Sequence, residues 1–305
     1  MIENDPISRE NVSFDADGDT IRGWLFRPRA ARAAVPLIVA AAGYSCVKEM
    51  HMSLYAQAFA ARGLAVLTFD FRNLGESGGA IRQELDPWRQ IEDYRHAITY
   101  ARTLEGIDPE RIGIWGTSYA GGHVLVVAAT DRRVKCVVSQ TPTISGHAAG
   151  LRRVPMDQLP ALIAAFDEDR RRRMRGEPPT MRAVVGPPEH KPVYPSQEVR
   201  EWFMRSSRSA PNWRNEVTLR SMELARAYEP GAYVSFISPT PLLMILGRTD
   251  AITFIDLQLD AFNRALEPKQ LVLLQGGHFS CYEEELAPAS EAAAAWCSRH
   301  LLGTR

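Results

Sequence analysis

Cysteine is scarce in this chain, and its spacing excludes more than its number does. The four thiols, Cys46, Cys136, Cys281 and Cys297, contain no C-x-x-C pair. Reduced cysteines in a cytoplasmic protein are therefore expected, rather than a disulfide framework. His278 and Cys281 come nearest to metal-ligand spacing, but no second ligand pair accompanies them. No metal site and no cofactor are predicted. Charge of one sign is missing too, because 36 basic residues face 36 acidic ones. That balance argues against nucleic acid as a partner. No apolar run approaches a membrane span and no signal-peptide pattern opens the chain, so no membrane association is expected. What remains is one large α/β domain, or one domain carrying an insertion, in 305 residues.

The positive signal is concentrated in Arg111-Ile-Gly-Ile-Trp-Gly-Thr-Ser-Tyr-Ala-Gly-Gly122. A short apolar run, a tight turn around Ser118 and a following apolar helix are the setting in which a G-x-S-x-G-like pattern makes a nucleophile elbow. Small residues are needed two places either side of the serine, and Gly116 and Ala120 supply them. The helix that starts after Ser118 points its N–H groups and positive dipole end at the reaction site.

Around this stretch the pattern alternates. Strands are predicted at 11–15 and 20–27 around Asp17-Gly18, then at 36–42, 64–71, 134–140, 241–246 and 270–274. Helices are predicted at 52–62, 86–104 (Asp86 as N-cap, Pro87 at the first helical position), 215–227, 254–266 and 288–302. The alternation implies a mainly parallel sheet with helices on both faces. Ligands then bind at the carboxyl ends of the strands, where Gly43, Gly75 and Ser118 fall. From 145 to 212 prolines and arginines cluster and strand-like runs are scarce. This reads as a helical cap inserted between core segments 1–144 and 213–305, with helices at 157–174 and 196–206.

A serine nucleophile needs a base, and the base needs a carboxylate. Asp250 and His278 each fall just after a predicted strand, which gives the order Ser118, Asp250, His278. The backbone N–H of Tyr119 is one expected oxyanion donor. Tyr44, through its backbone or its phenol, is the other. Trp202 and Trp213 are candidates for the substrate pocket. Asp70 and Arg72 read as a structural pair, Cys46 as a packing residue, and Arg170 to Arg173 as a solvated helix face.

These motifs resemble the α/β-hydrolase superfamily over nearly the whole chain. The stretches 70–79, 238–243 and Gly-Gly-His-Phe at 276–279 are similar to dienelactone-hydrolase-like and X-Pro dipeptidyl-peptidase-like proteins, and to fungal polyketide transferases and thiohydrolases. The resemblance implies a serine hydrolase with an inserted cap acting on a small-molecule ester or thioester. In the peptidase-like group a tyrosine after the third strand offers its phenol to the oxyanion. Ala120 stands where the commonest elbow has a second glycine. The residues leave open an acyltransferase or thioesterase that takes a polyketide-like chain from an acyl carrier, a C–C or amide hydrolase, and a ligand-binding protein on the same fold. A homodimer is left open as well.

Overall fold

The computed structural model describes residues 6–30 and 33–303. Two strands, β1 (Ile7–Ala16) and β2 (Asp19–Pro28), form an antiparallel hairpin. At its turn Asp17 and Gly18 both take positive φ, and Asp15 accepts the Gly18 N–H. The other strands of the same sheet are β3 (Val35–Ala41), β4 (Ala65–Phe69), β5 (Ile107–Thr117), β6 (Val134–Gln140), β9 (Leu242–Gly247) and β10 (Lys269–Leu274). They complete an eight-stranded sheet in the order β1-β2-β4-β3-β5-β6-β9-β10. From β4 to β10 every pairing is parallel. The central strands are apolar on both faces because both faces are covered, as all of Leu37 to Ala41 are buried.

Helix α1 (Met52–Ala61) packs with α9 (Leu286–Leu302), and α2 (Pro87–Ala101) packs with α3 (Tyr119–Thr130). The start of α2 follows its sequence signal, since the Asp86 carboxylate accepts the N–H groups of Trp88 and Arg89. The other core helix is α8 (Ile255–Arg264). Among the described residues no helix is long and apolar enough to cross a membrane.

Between β6 and β9 the chain leaves the sheet. It forms α4 (Gly146–Arg153), α5 (Leu159–Met174), a short strand β7 (Met181–Arg182), α6 (Gln197–Ser206), β8 (Val217–Thr218) and α7 (Leu219–Arg226). The helix expected from 215 begins only at Leu219. Asn215 clamps Val185 through its side chain, with both amide atoms bonded at 2.8–2.9 Å, and holds 215–218 extended so that β8 pairs antiparallel with β7. Thr218 then caps α7 by accepting the Ser221 N–H. Helix α4 was not expected from its glycine-containing sequence. Ser145 caps it, and it packs against α7.

The expected Asp70–Arg72 pair does not form. Asp70 bonds the backbone N–H of Lys48 at 2.7 Å and its ammonium at 2.8 Å, whereas Arg72 pairs with Asp93. Lys48 is fully buried and also reaches Glu76 and Glu49. Glu49, Asp70 and Glu76 crowd their oxygens within 4.8 Å of one another, and the ammonium supplies the cation among them. Burial opposes the charge on Lys48, but Asp70, Glu76 and Glu49 raise its pKa above the usual lysine value. The loop after β3, which carries Tyr44, is thereby tied to the loop after β4.

Candidate active site

Ser118 sits between the last residue of β5 and the first of α3 at φ 57°, ψ −114°. A non-glycine residue in that region costs about 1–3 kcal/mol, and its surroundings must impose it. They do so from three directions. The Ser118 N–H donates to the Gln140 carbonyl at 2.8 Å, and the Ser118 carbonyl accepts from Gly122 and Thr143. The turn is so tight that a Cβ on Gly116 would stand 2.2 Å from the Ala120 carbonyl oxygen. Glycine is obligatory at 116 for this reason, whereas the small Ala120 side chain fits. A Cβ at Gly43 would in turn lie 2.8 Å from the Cβ of Ser118, so the loop after β3 approaches the serine closely.

His278 comes from the loop after β10 and Asp250 from the loop after β9, and the sheet edge brings both to Ser118. His278 Nε2 lies 3.0 Å from Ser118 Oγ, and Nδ1 lies 2.9 Å from Asp250 Oδ2. An ionised carboxylate only accepts, so Nδ1 carries the proton and Nε2 presents its lone pair to the serine hydroxyl. Asp250 is held tightly. Its Oδ1 accepts the N–H groups of Ile252 and Thr253, while Oδ2 accepts from the Thr253 hydroxyl at 2.7 Å and from the Gln258 amide at 3.2 Å. Burial works against its charge, but the His278 imidazole and these hydrogen bonds outweigh it and hold the carboxyl well below the usual range. Thr253 and Gln258 were not anticipated, and they lie three and eight residues past the acid, in the turn and helix that follow.

Tyr119 opens α3, so its backbone N–H has no intrahelical acceptor and stands free next to the serine. Tyr44 lines the same pocket as Ser118, and its buried phenol has no hydrogen-bond partner. The pocket has a volume of ≈ 30 Å³. Its apolar wall includes Met50, Val199, Phe203 and Trp202, the last stacked on Phe279 with ring centroids 4.7 Å apart. Trp213, the other tryptophan expected here, does not line it. It stands behind, stacked on Phe203. Cys46 does line it, and burial pushes its thiol up to about 12, so it is a neutral packing group. Tyr194 was also unanticipated, because it reaches the pocket from an irregular stretch between β7 and α6.

Sheet order, elbow and loop-borne acid and base together define an α/β hydrolase. The chain belongs to the X-Pro dipeptidyl-peptidase (S15) family, which it matches over residues 17–280. It is 34% identical over 277 residues to a thiohydrolase of Eupenicillium brefeldianum, covering 88% of this chain and 87% of that protein. It is likewise 34% identical to the quorum-quenching protein AidA of Acinetobacter baumannii, covering 82% of each. Among solved structures, the α/β hydrolase GrgF of a Penicillium species superposes with a TM-score of 0.84 at 25% identity. That match covers 97% of this chain and 99% of the other.

Proposed function

We propose that this hydrolase cleaves a carboxylic ester or thioester through an acyl-enzyme on Ser118. The observation that carries the reading is the unbroken hydrogen-bond chain from Ser118 Oγ through His278 to Asp250. Ser118 Oγ bonds to the substrate carbonyl carbon while its proton passes to His278 Nε2. Asp250 steadies the imidazolium that results. The carbonyl oxygen becomes an oxyanion, which the Tyr119 N–H and the Tyr44 phenol receive. Collapse breaks the bond to the leaving oxygen or sulfur, and His278 returns the proton to that atom. Water then attacks the acyl-enzyme and gives its proton to His278, which passes it to Ser118 Oγ as the bond to the acyl carbon breaks and the acid is released. The name of one relative, a thiohydrolase, supports hydrolysis and favours a thioester among the substrates to try first. Four buried, unbridged cysteines support a reducing, cytoplasmic setting.

Intact-mass spectrometry after fluorophosphonate treatment tests this. One adduct is expected on the wild type, none on Ser118→Ala, and a much slower one on His278→Ala. Equal labelling of the wild type and Ser118→Ala would refute the assignment. A folded wild type that takes no label would point to a binding protein instead.

A further inference from the structure

A second cavity of ≈ 60 Å³ lies beyond Tyr44 and Tyr194, which line both it and the serine pocket. The two rings meet edge to face at 5.8 Å and form the partition between the cavities. The two spaces therefore share one aromatic wall, and an acyl chain reaching from one to the other must pass this pair. The chambers differ chemically. The serine pocket is largely apolar, whereas the second chamber carries two guanidinium groups, Arg153 from α4 and Arg226 from α7, and no acidic side chain lines it.

Neither arginine forms an ion pair among the described residues. Arg153 gives one donor to the Ile252 carbonyl and lies over the Tyr194 ring. Among the described residues Arg226 has no hydrogen-bond acceptor, and its guanidinium fills the space that a side chain at Gly150 would take, 2.5 Å from that Cβ position. The four arginines of α5 differ, since Arg170, Arg171, Arg172 and Arg173 are all matched to carboxylates. Burial, and then the charge of Arg153, lower the pKa of Arg226. Two cations crowded together without a counter-ion are stabilised by any anion that enters. A third polar group points the same way. The Tyr119 phenol lines this chamber, buried and without a partner. Tyr119 thus has its N–H beside the reacting serine and its side chain in the second chamber. Val154, Leu162 and Met222 complete an apolar wall suited to methylenes.

We infer that the second chamber is a subsite for a carboxylate at the far end of the acyl chain, gripped by Arg153 and Arg226 with a hydrogen bond from Tyr119. The natural substrate is then an ester or thioester of a dicarboxylic acid, cleaved at one end and anchored at the other. The planar fork of a guanidinium matches a carboxylate in two-point contact, which an ω-methyl ester does not offer. This substrate class rests on the acyl-enzyme reading above.

The test uses mono-p-nitrophenyl esters of glutaric, adipic and suberic acids, each compared with its ω-methyl ester. The expected result is a preference of tenfold or more in kcat/KM for the free carboxylate at one chain length, expressed mainly in KM. Arg226→Met and Arg153→Met should each reduce that ratio at least fivefold, and Arg226→Lys should restore part of it. Thermal melts establish that the variants are folded. In parallel, free suberate, adipate or glutarate should slow fluorophosphonate labelling of wild-type Ser118 competitively, and should do so far less for Arg226→Met. Normal labelling, with neutral esters hydrolysed as well as anionic ones and no slowing by any diacid, overturns the subsite while leaving the serine mechanism standing. If the serine never labels, calorimetric titration of the diacids into wild type and Arg226→Met decides the subsite alone. Equal or absent binding in the two proteins refutes it.

Discussion

The carboxylate of Asp250 and the phenol of Tyr44 are both buried near the serine pocket, yet one has five hydrogen-bond donors and the other has no partner. Ile252, Thr253 (twice), Gln258 and His278 all donate to Asp250. Among the described residues nothing bonds the Tyr44 hydroxyl. A buried carboxylate that must stay ionised throughout turnover needs its donors in place beforehand. An oxyanion donor has the opposite requirement. Its acceptor exists only in the transition state, so a donor satisfied in the resting protein would first have to break a bond. In the proposed mechanism the charge-holding side is complete at rest, and the charge-receiving side is completed by substrate. An unmet buried hydroxyl costs about 1–3 kcal/mol, and that cost is relieved when the oxyanion forms.

The contrast is most severely broken on the Asp250 side. Asp250→Asn should lower kcat on an activated ester by about 10⁴-fold, because an amide that donates to Nδ1 selects the wrong imidazole tautomer. Its KM should change little. A loss of less than about tenfold would show that another carboxylate does this work. On the Tyr44 side, Tyr44→Phe should cost about 10²–10³-fold in kcat, the usual effect of removing one oxyanion donor. Unchanged kcat in this variant would transfer the role to the Tyr44 backbone N–H. Fluorophosphonate labelling provides a second readout, since its phosphoryl oxygen occupies the same hole.

The difference between the two sides also explains how much of the site was legible in the chain. Ser118, Asp250 and His278 were readable because each follows an apolar strand in a small-residue turn, and the parallel sheet places all such turns along one edge. The alternating core was readable for the same reason. Thr253 and Gln258 were not, because a threonine or glutamine near a helix start looks the same whether it caps, faces solvent or bonds an acid. Lys48 was hidden for a related reason. Lysine in a loop is ordinarily solvated, and only the meeting of the loops after β3 and β4 surrounds it with three carboxylates. Asp70 and Arg72, adjacent in the pattern, were separated because each found a better-placed partner across the fold. The region between β6 and β9 was the least legible. Helix α4 depends on contact with α7, and the ribbon of β7 and β8 is two residues wide on each side, too short for any periodicity.

Thr253 gives a finer test of the Asp250 side. Its hydroxyl donates to Asp250 Oδ2 and accepts from Gln258, so Thr253→Val removes one donor to the acid and leaves the shape of the side chain. A hydrogen bond to a charged group is worth about 1.5–3 kcal/mol, so kcat should fall by roughly tenfold to a hundredfold. That is far less than for Asp250→Asn. An effect of equal size would mean that Thr253, and not the acid, orients His278.

The smallest effect is on stability and concerns pH. The Asp250 carboxyl ionises well below its ordinary range in the folded protein. Just below the ordinary carboxylate pKa of about 3.9, the unfolded chain therefore binds a proton at this position that the native protein does not. Its contribution is fully present above that pH and is lost as the pH falls toward the folded value. The comparison must be a difference between proteins, because burial raises the pKa values of Asp70 and Asp93 and gives them the opposite sign. Subtracting the urea-unfolding free energy of Asp250→Asn from that of the wild type cancels the Asp70 and Asp93 terms, which the two proteins share. The difference should be flat from neutrality down to about pH 5 and should shrink steadily below about pH 4. A difference that stayed constant to pH 3 would mean that the carboxyl is not held ionised by its five donors, and the contrast with Tyr44 would lose its basis.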